Sequence, residues 1–203
     1  MPTDPAFSPT LLAALFVFAA VGSITPGPNN IMLMVSGVNF GIRRTVPQMA
    51  GIATGLYLIT AAVGLGLGFV FSQVPVVRIV VMLAGVGYSL WLAWRIATAG
   101  SLGGGTLAHP LRFWPSVTFQ AVNPKLWATA ISAVSLYVRP GHTLTDTMLV
   151  TCTFAVINVP AMLVWAGFGV GLRQALQDPR RVRIFNIVMG LALAASVLAF
   201  LRV

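Results

Sequence analysis

Carboxylates are almost missing from this sequence: Asp4, Asp146 and Asp178 are the only acidic residues among 203, against 12 lysines and arginines. Clustered aspartates for metal-assisted phosphotransfer are therefore not present. The two histidines, His109 and His142, lie close to loop prolines and make no serine–histidine or metal-ligating group. The single cysteine, Cys152, cannot form an intrachain disulfide and reads as a small packing residue within an apolar run. No catalytic residue, cofactor or metal site is expected.

Charge of either sign is also scarce. Charged residues make up 7% of the chain and hydrophobic ones 58%, whereas a soluble domain carries about 25% charged residues. With a mean hydropathy of +0.92, the chain is built for lipid. The formal charge of +9 does not indicate nucleic acid, because the arginines are scattered between long apolar runs and form no basic face.

A transmembrane helix needs about 20 mostly apolar residues, and the apolar runs divide into six spans: 9–38 (interrupted), 46–71, 75–98, 111–138 (interrupted), 144–171 and 182–201. The expected fold class is an all-α polytopic membrane protein, a single transmembrane domain over residues 1–203. Residues 1–9 contain Asp4 and no lysine or arginine. The charged start of a secretory signal is missing, so the first helix is expected to be retained although Val21, Gly22 and Ser23 imitate a cleavage site.

Numbering the two sides alternately, one receives Arg43, Arg44, Arg95, Arg112, Arg173, Arg180, Arg181 and Arg183, and the other only Arg78, Arg139 and Arg202. The richer side is assigned to the cytoplasm, which places both termini outside it.

Residues 100–106 are glycine-rich and separate three spans from three, which suggests repeats at about 9–98 and 111–201. Aligning Pro28 with Pro124 also brings Ser36 onto Ser132, Val38 onto Val134 and Arg43 onto Arg139. An odd number of spans per unit forces the two repeats into opposite orientations, each opening with a broken helix.

The first break reads Ile24-Thr25-Pro26-Gly27-Pro28-Asn29-Asn30, where two prolines remove backbone donors and a continuous helix cannot pass. Pro28 suits the first position of a new half-helix, whose positive end attracts an anion. The second break, Gln120-Ala121-Val122-Asn123-Pro124-Lys125, repeats the device and adds the only cation placed inside a span. A lysine there costs about 2.5–3.5 kcal/mol to insert and needs a partner or a wet cavity. Lys125 and the half-helix N-termini are expected to hold a substrate carboxylate, with Asn29, Asn30 and Asn123 donating hydrogen bonds and Gln120 beside them. Pro160 reads as an isolated kink, and Asn158 near it joins the candidate binding residues.

All three carboxylates fall in termini or loops by this reading. A neutral zwitterion therefore suits the spans better than a cation, and Asp146, near the start of the fifth span, is the only candidate for carrying protons.

The run Thr25-Pro26-Gly27-Pro28-Asn29-Asn30, the segment Gln48-Met49-Ala50-Gly51-Ile52-Ala53-Thr54-Gly55 and the segment Phe119-Gln120-Ala121-Val122-Asn123-Pro124-Lys125 resemble the LysE/RhtB family of amino-acid exporters across nearly the whole chain. Trp91-Leu92-Ala93-Trp94-Arg95-Ile96-Ala97 and Phe185-Asn186-Ile187-Val188 are most similar to its cysteine and O-acetylserine branch. The resemblance implies efflux of a small amino acid or related metabolite across a bacterial inner membrane, driven by the membrane potential or a proton gradient. By the same resemblance the site falls on Pro26, Gly27, Pro28, Asn29, Asn30, Asn123, Pro124 and Lys125. The expected partners are the substrate, the lipid bilayer and a second copy in a homodimer, because six short spans make a thin bundle.

Overall fold

The computed structural model describes residues 7–99, 110–176 and 178–199, so the glycine-rich segment 100–106, His109, Asp4 and Arg202 lie outside the described residues. The described chain is helical: α1 (Pro9–Ile24), α2 (Pro28–Phe40), α3 (Ile42–Ala62), a π-turn (Val63–Leu67), α4 (Gly68–Gln73), α5 (Pro75–Ala97), α6 (Phe113–Val122), α7 (Pro124–Tyr137), α8 (Thr143–Arg173) and α9 (Pro179–Leu198). Prolines open α1, α2, α5, α7 and α9, where a missing N–H costs no intrahelical bond.

Among the described residues four helices are long and apolar enough to cross a membrane: Ile42–Phe71, Pro75–Ala97, Thr143–Arg173 and Pro179–Leu198. The pair α1 and α2, bent by 54° at the proline break, makes a fifth if taken as one span. The expected span 111–138 appears as α6 and α7, of 10 and 14 residues, each too short to cross alone.

Two expectations are corrected by packing. Asp146 is not in a loop, because α8 begins at Thr143 and the carboxylate lies buried in its first turn. Arg139 reaches it from the end of α7, with Nε to Oδ2 at 2.8 Å and Nη2 to Oδ1 at 2.9 Å. Cys152 does not pack inside but is exposed on α8.

The principal helix contacts join the two halves of the chain: α2 and α1 on α8, α3 on α6 and α8, and α5 on α9. Glycines set these approaches. A Cβ at Gly37 would collide with the Ala166 carbonyl, and one at Gly169 with that of Met34, so α2 and α8 meet backbone to backbone. Gly51 and Gly55 do the same for α3 against Phe113, Ser116 and Gln120 of α6. Gly41 turns the chain between α2 and α3 at φ 77°, and Gly66 reverses within the π-turn at φ 119°, both in the left-handed region that glycine enters without a steric penalty.

Candidate functional site

At the first break, α1 ends with unpaired carbonyls and α2 begins without a side-chain cap, Gly27 being its N-cap residue in extended backbone. The exposed carbonyls draw donors from two directions. Asn30, buried, donates its Nδ2 to Ser23 O at 2.8 Å and to Thr25 O at 2.9 Å, folding α2 back onto the end of α1. Lys125 then brings its ammonium from α7 to Thr25 O at 2.6 Å. The partial negative charge at a helix C-terminus favours a cation there, while the positive N-terminus of α7, on which Lys125 sits, disfavours one. The side chain therefore reaches across to α1.

Gly27 makes that reach possible. A Cβ on it would stand 2.7 Å from Lys125 Cδ and 3.0 Å from Nζ. Its φ of −168° is open to any residue, so the requirement is for space.

The second break is only one residue long and is stitched mostly by its own side chains. Asn123 caps α7 by accepting from the Lys125 backbone N–H at 3.1 Å. The Ala121 carbonyl, which would otherwise receive that N–H, is satisfied by Trp127 Nε1 at 2.8 Å. Trp127 in turn stacks on Phe71, with ring centroids 4.3 Å apart.

One pair of side chains joins the breaks directly. Asn29 donates to Gln120 Oε1 at 2.8 Å and Gln120 donates back to Asn29 Oδ1 at 3.1 Å, with Gln120 fully buried and also bound to Ser116 O at 3.0 Å. Asn123 adds a longer bond to Gln120 Oε1 at 3.4 Å.

Between the breaks lies a cavity of about 50 Å³, room for a few waters at about 10–15 Å³ each. Gly27, Pro28, Asn29, Asn30, Asn123, Lys125 and Asn158 line it, together with Ser23, Thr60 and Thr129 and the apolar Leu56, Leu126 and Phe154. The structure thus brings seven of the ten candidate residues to one hollow. Gln120 stands behind it through Asn29, Pro26 is exposed and outside the lining, and Pro124 faces a second hollow on the other side of α7. That second hollow, about 320 Å³, is lined largely by apolar groups from α4, α5 and α7, with Arg78 among them.

Two members of the site are not visible in the sequence pattern: the Thr25 carbonyl, the acceptor for Lys125, and Ser23, which accepts from Asn158 Nδ2 at 3.3 Å. Asn158 Oδ1 is left buried with no hydrogen-bond partner. Among the described residues Lys125 is the one charged side chain in the lining.

A family model described as LysE type translocator matches residues 20–202, which includes both breaks. The chain belongs to this family. It is 32% identical over 188 residues to the cysteine/O-acetylserine efflux proteins of Escherichia coli K12 and Shigella sonnei Ss046, covering 92% of this chain and 95% of each relative. The corresponding efflux protein of Escherichia coli CFT073 is 31% identical over the same shares. No solved structure matches the chain. As a LysE translocator the protein works within a membrane.

Proposed function

We propose that the protein is a secondary exporter of small neutral amino acids or related metabolites across the bacterial inner membrane, in the class of cysteine and O-acetylserine or homoserine and threonine. The observation that carries this reading is the meeting of the two helix breaks at Lys125 and Thr25 beside a polar hollow with a single charged side chain. An α-amino acid presents a carboxylate that suits Lys125 and the free amides at the start of α2. With no carboxylate in the lining, a second positive charge on the substrate would go unpaired. Exporting it against an inside-negative potential costs about a further 2.3 kcal/mol per 100 mV.

Six spans arranged as two inverted repeats are part of the proposal. The parallel is that α2 and α7 both begin at a proline after a break, and that α1 packs on α8 as α6 packs on α3. In this arrangement α3 pairs with its counterpart α8, and α5 with α9. Cytoplasmic placement of the eight-arginine side puts both termini outside, and a C-terminal reporter active only in the cytoplasm tests it. The thin bundle pairs as a homodimer, which cross-linking in native membranes tests.

The transport reading is tested with inverted vesicles and labelled L-cysteine or L-lysine. Cysteine is taken up preferentially by the native protein, and Lys125→Ala abolishes uptake while inserting normally. Preferential transport of lysine, or full activity of correctly inserted Lys125→Ala, refutes it.

A further inference from the structure

The Lys125 ammonium occupies a place that chemistry assigns equally well to another ammonium. It lies 2.6 Å from a carbonyl at the C-terminal end of α1, and the hollow beside it is lined by Asn158, whose buried Oδ1 has no partner. An unpaired buried acceptor is destabilising and persists where something else satisfies it. The same hollow contains the N-terminal end of α2, whose cap residue Gly27 offers no side chain. Acceptors and donors are thus gathered at one break, and a single tethered cation is held on one of the acceptors.

We infer that Lys125 is a built-in stand-in for the substrate's ammonium, and that Thr25 O with Asn158 Oδ1 forms the seat which the α-ammonium takes when Lys125 leaves it for the substrate carboxylate. This rests on the proposed function and deepens it, since it makes recognition a two-point exchange. A carboxylate draws Lys125 off Thr25, and that movement leaves the carbonyl with its Asn30 bond alone and its second lone pair open. Only a ligand with an ammonium one carbon away from its carboxylate fills both places. A carboxylic acid without an amine strands Asn158 Oδ1 and leaves Thr25 O one donor short. An amine without a carboxylate has to compete with a lysine that is covalently held and already in place. Buried polar groups left unpaired in this way are what give a site strong discrimination against an analogue lacking one group.

Gly27 belongs to the exchange because a side chain there would fill the path of Lys125 Cδ and Nζ. Asn30 does not move with it. Its bonds to both Ser23 O and Thr25 O fix the carbonyls in direction, so the seat is preformed for whichever cation arrives.

The test is counterflow of labelled L-cysteine into proteoliposomes under reducing conditions, with three competitors: O-acetyl-L-serine, which has both charges; L-cysteine methyl ester, which lacks the carboxylate; and 3-mercaptopropionate, which lacks the ammonium. O-acetyl-L-serine is expected to compete at least tenfold better than either half-molecule. A half-molecule competing within threefold of it overturns the exchange. In Asn158→Leu the half-saturating cysteine concentration rises at least tenfold while inhibition by 3-mercaptopropionate stays within twofold, and unaltered discrimination removes Asn158 from the seat. In Lys125→Met the seat is vacated permanently. Binding of labelled methyl ester, measured directly by scintillation proximity, therefore strengthens at least tenfold, and no gain shows that lysine is not its competitor. If a variant fails to insert, the native competitor series decides alone. Absence of any cysteine counterflow by the inserted native protein defeats the proposed function itself, a result separate from loss of discrimination.

Discussion

Replacing Arg139 with glutamine is expected to cost more stability than replacing its partner Asp146 with asparagine, although both remove the same ion pair. The asymmetry follows from exposure, since the Arg139 side chain is 29% exposed and that of Asp146 only 4%. In Asp146→Asn the guanidinium turns toward solvent and recovers much of its hydration, leaving a loss of about 2 kcal/mol in charge-assisted hydrogen bonds. In Arg139→Gln the carboxylate stays buried with its backbone bond from the residue 139 N–H at 3.1 Å and only the weaker pull of His142 to balance it, and removing one partner of a buried pair costs about 3–5 kcal/mol. Arg139 also lies over the Phe7 ring at 5.2 Å, so its loss loosens the entry to α1 as well. The predicted gap between the variants is about 2 kcal/mol. Reversible unfolding in mixed micelles, followed by far-UV circular dichroism, reads it directly, and the double variant should be less damaged than the sum of the two. If Asp146→Asn proves the more destabilising, the burial argument is wrong and the carboxylate has another function.

Gly85→Ala places a methyl against the Val122 carbonyl, a backbone atom that cannot step aside. It is expected to destabilise by about 1–3 kcal/mol, and an unchanged thermal midpoint in detergent would contradict the close approach of α5 to the second break. Trp127→Phe keeps an aromatic against Phe71 but leaves the Ala121 carbonyl without its donor. A loss of about 1 kcal/mol is expected, and an equal loss in a variant that retains an N–H at this position would refute the indole's part. Gly27→Ala meets only a flexible lysine side chain, so folding should be preserved while cysteine counterflow falls about tenfold; wild-type flux would show that Lys125 has room to spare.

Both breaks were readable because proline acts locally through a missing N–H and a fixed φ, and Asn-Pro or paired prolines stop the helix where the lone Pro47 and Pro160 stay inside α3 and α8. Some limits of the spans followed too, with α5 ending one residue from its expected boundary and α8 extending one residue before and two beyond, whereas α3 begins four residues before its expected start and α9 is offset by three at each end. Elsewhere tertiary contact decided. Asp146, assigned to a loop near the start of the fifth span, lies within the helix that starts at Thr143, and Arg139 balances a carboxylate that the apolar pattern could not place. The π-turn at Val63–Leu67 lies in a run of glycines with no signal for where the left-handed residue falls. At the site, residue types announced polar groups but not their pairing. Asn29 with Gln120 and Lys125 with Thr25 are matches across the fold that no local spacing encodes.

Thr25 and Lys125 stand 100 positions apart, and that interval has a meaning for biosynthesis. At about 5–20 residues per second, the ribosome delivers the lysine some 5–20 s, roughly, after the carbonyl it will cover. Throughout that interval the end of α1 has only Asn30 to shield it, so a nascent chain halted before α7 carries an unfinished polar notch. The first half is therefore a dependent fragment, completed by the arrival of the second.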